Sequence, residues 1–168
     1  MNDGIRSDII GPMKIRLVAA GVLAIVLLGA CSDSGAQRTN GVITSGGSLK
    51  VHDLKPGDCL DRPSKDEAEI EKVDAVPCKE EHSEEIFAKV TYTGGDKYPD
   101  AKNMEKYATA RCDAAFRPYV GKSYAASKLL MTYLAPSQDG WEKDKDRTIL
   151  CIVTADKPLT NSVKGSKQ

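Results

Sequence analysis

The sequence predicts an α+β fold, a small and mostly antiparallel sheet packed by one main helix and held by two disulfides. Three observations lead there. Short apolar stretches bounded by turn residues recur along the chain, one segment alone carries helical periodicity, and four cysteines fall within the part able to fold. A chain of 168 residues has room for one such core and little for a second.

Leu49 and Val51 read as a strand, with His52 alternating, that enters the turn Lys55-Pro56-Gly57-Asp58. Val73, Val76 and Cys78 mark a second short strand and residues 86–92 a third. Thr93-Gly94-Gly95-Asp96 then breaks the chain. Asp100 is placed to cap a helix reaching about Tyr119, because Met104, Ala108, Cys112, Ala115, Phe116 and Tyr119 recur at three- and four-residue spacing. Gly121 suits the position after that helix. Residues 129–134 and 148–153 read as two further strands. Trp141, the single tryptophan, is expected to cap the rim of the core, with a ligand platform as the sharper alternative.

The amino end has a different character. Lys14 and Arg16 precede twelve apolar or small residues, 17–28, and then Gly29-Ala30-Cys31. Charged, apolar, small is the order of a secretory signal. Twelve residues fall short of the roughly 20 needed to cross a bilayer as helix, so a retained signal anchor is the weaker reading. Leu28-Gly29-Ala30-Cys31 resembles a bacterial lipoprotein box, which implies a diacylglyceryl thioether on Cys31, cleavage before it, and palmitate among the attached chains. Met13 stands just before Lys14, and residues 1–12 add nothing a signal requires, so translation is expected to start at either methionine. Two acyl chains would hold the protein stably on the cell membrane, at its extracytoplasmic face.

The domain plan follows: signal peptide 1–30, lipidated Cys31 with a flexible Gly/Ser-rich tether to residue 48, a folded domain 49–157, and a polar, frayed tail 158–168. The tether would have an end-to-end distance of about 20–25 Å. With Cys31 lipidated, Cys59, Cys78, Cys112 and Cys151 remain, an even number in an oxidising compartment. Three pairings are open. Cys59–Cys78 would join adjacent strands and Cys112–Cys151 would pin the helix's inner face to the last strand, and these are the expected bonds. A zinc site lacks the Cys-x-x-Cys or paired-His spacing it needs, and the same absence removes a thioredoxin-like motif, so no metal and no cofactor are expected.

Charge excludes a further class. There are 24 basic and 24 acidic residues, which gives no footprint for nucleic acid. The layout is uneven, however: residues 66–85 hold nine acids against two lysines, and residues 86–168 hold fourteen bases against nine acids. Such a dipolar surface suits a basic partner or weak Ca²⁺ binding, though Asp66-Glu67-Ala68-Glu69-Ile70-Glu71 also reads simply as a solvated loop. Glu142-Lys143-Asp144-Lys145-Asp146-Arg147 alternates in sign like a turn. For catalysis there are two histidines. His82 lies in Lys79-Glu80-Glu81-His82-Ser83-Glu84-Glu85 without a nucleophile elbow, and reads as a loop residue bonded to backbone. The enzymatic alternative is a small envelope hydrolase using His82 with the carboxylates of residues 80–85.

Taken in order, Leu54-Lys55-Pro56-Gly57-Asp58-Cys59, Val73, Val76-Pro77-Cys78, His82 and Glu85-Ile86-Phe87 resemble the first half of the actinobacterial septum-formation-related domain. Tyr98-Pro99, Cys112, Phe116, Tyr119-Val120-Gly121, Pro136, Trp141 and Asp146-Arg147-Thr148-Ile149-Leu150-Cys151 resemble its second half. Glu81 stands where that family usually has Pro, and Lys145 where it usually has Gly. The resemblance implies an exported, envelope-associated module linked to cell division, and no known reaction. The expectation is therefore a lipid-anchored extracytoplasmic interaction module, not an enzyme, whose partner is an envelope protein or a cell-wall ligand.

Overall fold

The computed structural model describes residues 35–61 and 70–168. The expected signal at 1–30, the expected lipidation at Cys31, the start of the expected tether and the acids of residues 66–69 lie outside the described residues. Among the described residues eight strands and two α-helices follow in chain order: β1 (Gln37–Thr39), β2 (Val42–Ser45), β3 (Gly47–Lys50), β4 (Cys59–Asp61), β5 (Lys72–Val76), β6 (His82–Thr91), α1 (Ala101–Val120), β7 (Leu130–Leu134), α2 (Gln138–Lys143) and β8 (Thr148–Leu159). Six strands form one sheet in the order β3-β5-β4-β6-β8-β7, every neighbouring pair antiparallel. The expected α+β architecture with one main helix is the observed one.

The central strands are buried on both faces. In β8, Ile149, Cys151 and Val153 face α1 with Phe87 of β6, while Leu150 and Ile152 face the opposite side with Ile86, Leu60 and Leu54. Period-two alternation therefore separates two apolar layers, not an apolar and a wet one. Helix α1 lies on the first layer through Met104, Ala108, Cys112, Phe116 and Val120. Asp100 caps it by accepting from the Asn103 N–H, and Gly121 ends it in the left-handed region at φ 87°. Phe116 meets Phe87 edge-on with ring centroids 5.5 Å apart.

Both disulfides join these elements. Cys59–Cys78 links β4 to the chain after β5 across a Cα separation of 5.2 Å, and Cys112–Cys151 links α1 to β8 across 5.4 Å.

Several expectations need correction. The tether expected to be flexible through residue 48 is folded from residue 37: β1 and β2 form a hairpin around Asn40-Gly41, both at positive φ (51° and 84°), as a type I′ turn requires. Ile43 of that hairpin is buried in the second layer. The buried Asp58 carboxylate receives both guanidinium nitrogens of Arg38 in β1, and this fork clamps the hairpin to the Lys55–Asp58 turn. His52 is not on a strand; it is exposed in a single 3₁₀ turn. His82 is not a loop residue; it opens β6.

The tail is docked and not frayed. Leu159 and Val163 are buried, and the Gly165 and Lys167 N–H groups donate to the carbonyls of Tyr119 and Val120. Those are end carbonyls of α1, which have no partner inside the helix.

Lys145 takes the left-handed region at φ 58°, where a Cβ costs roughly 1–2 kcal/mol. Lys145→Gly should raise stability by about 0.5 kcal/mol despite losing the 2.7 Å bond from Lys145 Nζ to the Glu142 carbonyl. Lys145→Ala, which keeps the Cβ, should not; comparing denaturation midpoints of the two variants separates strain from the lost bond.

Candidate functional site

Two places gather chemistry-bearing side chains, one buried and one open. The buried one is centred on Glu85, which is 0% exposed. Register places Cys59 directly opposite Glu85 across the β4–β6 pair. The Tyr119 hydroxyl (2.5 Å) and the Ser162 hydroxyl (2.7 Å) donate to Glu85 Oε1. The Val163 N–H donates to Oε2 at 2.7 Å. One carboxylate therefore ties β6 to the end of α1 and to the docked tail. His82, 1% exposed, places Nδ1 2.7 Å from the Glu80 carbonyl oxygen. The expected backbone bond is thus present. The Ser83 hydroxyl donates to the Leu60 carbonyl at 3.2 Å.

Burial first, and then the hydrogen bond to Glu85, push the Tyr119 phenol well above its ordinary value of 10.0. The unfolded chain releases this proton near pH 10 and the native one does not. The resulting stability is present below about pH 10 and is lost as pH rises beyond it. Tyr119→Phe should therefore unfold less steeply with pH above 10 than the parent, as read by far-ultraviolet circular dichroism.

The open place is a groove of 1170 Å³ at the start of α1. Tyr92, Tyr98 and Tyr107 form its aromatic side, and Lys97, Lys106 and Arg111 line it with cations. Tyr92, Lys97 and Tyr98 come from the loop that follows β6, and Lys106, Tyr107 and Arg111 from α1. The rings are held in place. Tyr92 and Tyr107 lie 4.3 Å apart by centroid, and Tyr92 and Tyr98 each meet Trp141 at 5.2 and 5.4 Å. Hydrogen bonding with Thr93 fixes the Tyr107 hydroxyl and lowers its pKa. Gly94 is needed here, since a Cβ on it would sit 2.5 Å from the Tyr92 hydroxyl oxygen.

Trp141 is the anchor behind the groove and is itself 1% exposed. Its Nε1–H donates to the Asp96 carbonyl at 2.7 Å, and the Arg147 guanidinium stacks 3.6 Å above its ring. The tryptophan is therefore a core residue, and the platforms are the tyrosines it supports. Sequence reading missed them because three tyrosines at 92, 98 and 107 share no local period; Tyr98-Pro99 was the one signal present.

Charge in the groove is not balanced. Lys97, Lys106 and Arg111 set three positive charges against the carboxylates of Asp100 and Glu142, which accept from the uncharged Asn103 and Gln138. Lys97 and Lys106 have no partner among the described residues. Among the described residues no helix is long and apolar enough to cross a membrane.

The fold and its sites define a class: a two-disulfide, antiparallel α+β domain with an aromatic, cationic groove at the start of its main helix and a buried carboxylate network at that helix's end. The chain belongs to the septum formation family, whose model matches residues 56–168. That match includes the docked tail. No curated protein and no solved structure matches the chain.

Proposed function

We propose that the protein is a lipid-anchored, extracytoplasmic interaction module of the cell envelope that serves septum formation by binding an anionic, ring-bearing cell-wall ligand in the Tyr92–Tyr98–Tyr107 groove. The observation that carries this reading is the pairing of three pre-positioned aromatic faces with two unpartnered ammonium groups. Aromatic faces suit the CH surface of sugar rings, and cations suit carboxylate or phosphate substituents. Rigid rings lose little freedom on binding.

The same geometry favours binding over hydrolysis. The His82 ring is enclosed, and the Glu85 oxygens are occupied by three donors. A hydrolase would need those groups within reach of substrate.

Anchoring rests on Leu28-Gly29-Ala30-Cys31. Gln37 already belongs to β1, so the six Cα–Cα steps from Cys31 to Gln37 reach at most about 20 Å. A protein acylated at Cys31 would therefore hold its domain close to the lipid surface.

Tyr98→Ala combined with Lys106→Ala should leave folding and export intact and lower retention on isolated cell walls roughly tenfold. Undiminished retention would exclude the groove as the binding site. Cys31→Ala should yield an unprocessed precursor that takes up no labelled fatty acid, and acylated, cleaved protein from that variant would refute the anchor.

A further inference from the structure

His82 carries a nitrogen that nothing in the described residues answers. The Glu80 carbonyl can only accept, so Nδ1 is the ring nitrogen that donates, and this tautomer leaves Nε2 as the acceptor. Nε2 is buried and has no hydrogen-bond partner among the described residues. An unmet buried acceptor is costly and calls for a cause. A ring nitrogen of His82, the Cys59 sulfur and a Glu85 carboxylate oxygen all lie within 4.8 Å of one another. Both Glu85 oxygens already accept hydrogen bonds, from Tyr119, Ser162 and Val163. Cys59 has no hydrogen to donate while it is bonded to Cys78, but gains one on reduction.

We propose that Cys59–Cys78 is a redox-active disulfide, opened by a dithiol reductant, and that His82 Nε2 is the acceptor that stabilises the Cys59 thiol once the bond is open. Cys59 is fully buried whereas Cys78 is partly exposed. The incoming thiolate therefore bonds to Cys78 Sγ, the S–S bond breaks, and the electron pair leaves on Cys59 Sγ. The reductant's second thiolate attacks the mixed disulfide, frees Cys78 and leaves as an intramolecular disulfide. Two electrons come from the reductant. Of its two thiol protons, one ends on Cys78 and the other lies between Cys59 Sγ and His82 Nε2. Cys112–Cys151 sits instead among Phe87, Phe116 and Val153 in the apolar layer. One disulfide is then structural and the other addressable.

The test equilibrates the full-length protein in buffers of graded reduced-to-oxidised dithiothreitol, traps free thiols by alkylation and maps them by mass. Cys59–Cys78 should open at a ratio roughly tenfold lower than Cys112–Cys151. In His82→Leu, the Cys59–Cys78 midpoint should move about fivefold toward more reducing conditions with the other bond unmoved, and His82→Gln, which keeps an acceptor, should restore it. Coincident midpoints in the parent protein would overturn the proposal. So would a His82→Leu effect that is absent or equal on both bonds. Should His82→Leu fail to fold, the parent midpoints and the His82→Gln variant decide alone.

Discussion

Replacing both Cys112 and Cys151 by alanine is expected to lower the unfolding free energy by about 4 kcal/mol. The bond closes a loop of sequence separation 39, and the chain entropy released to the unfolded state by opening a loop of that size is worth about 4 kcal/mol. Both sulfurs are buried in the layer between α1 and the sheet, so some packing is lost as well. Cys59 and Cys78 close a loop of separation 19, and their replacement should cost about 3 kcal/mol. Chemical denaturation of the purified variants checks both. A loss below about 1 kcal/mol for the Cys112–Cys151 pair would mean that α1 is held on β8 by packing alone.

The second large effect belongs to Glu85. Glu85→Ala strands the Tyr119 hydroxyl, the Ser162 hydroxyl and the Val163 N–H, which converge on one buried carboxylate. Unmade bonds to a buried charged group cost 1.5–3 kcal/mol or more, so a total of about 3–5 kcal/mol is expected. Glu85→Gln keeps the shape and one acceptor oxygen but turns an amide N–H toward a donor, and should cost about 1–3 kcal/mol. The tail should loosen in both variants, seen as faster amide exchange at Val163 and Gly165. Unchanged exchange there would remove Glu85 as the tail's anchor, whatever the loss in stability.

Much of the fold was legible in residue order. Asp100, the apolar face from Met104 to Phe116 and Gly121 specify α1 by local rules, and the helix runs where those rules put it. The Pro56-Gly57 turn forms with Gly57 at φ 98° and the Asp58 N–H donating to the Lys55 carbonyl. Asn40-Gly41 carried an equally local hairpin signal, yet the surrounding Gly/Ser-rich composition outweighed it in the reading. Strand β4 is only three residues long and sits inside a stretch whose pattern is set by its neighbours.

Local sequence therefore determined α1 with its caps and the Pro56-Gly57 turn, because periodicity, caps and turn geometry act over a few residues, whereas the cysteine pairing joins positions 19 and 39 apart and is settled by the fold. Tertiary structure alone decided the two sites. Glu85 became a structural anchor because Tyr119, Ser162 and Val163, up to 78 positions away, deliver their donors to it. The polar tail became part of the domain because it returns to give the last carbonyls of α1 the N–H partners that the helix itself lacks. The groove's aromatic side is set by Trp141, brought back by α2, whose ring packs edge-on against both Tyr92 and Tyr98. Such convergence is set by packing across the core, and a hydrogen-bond donor leaves no mark in the sequence near the acceptor it will satisfy.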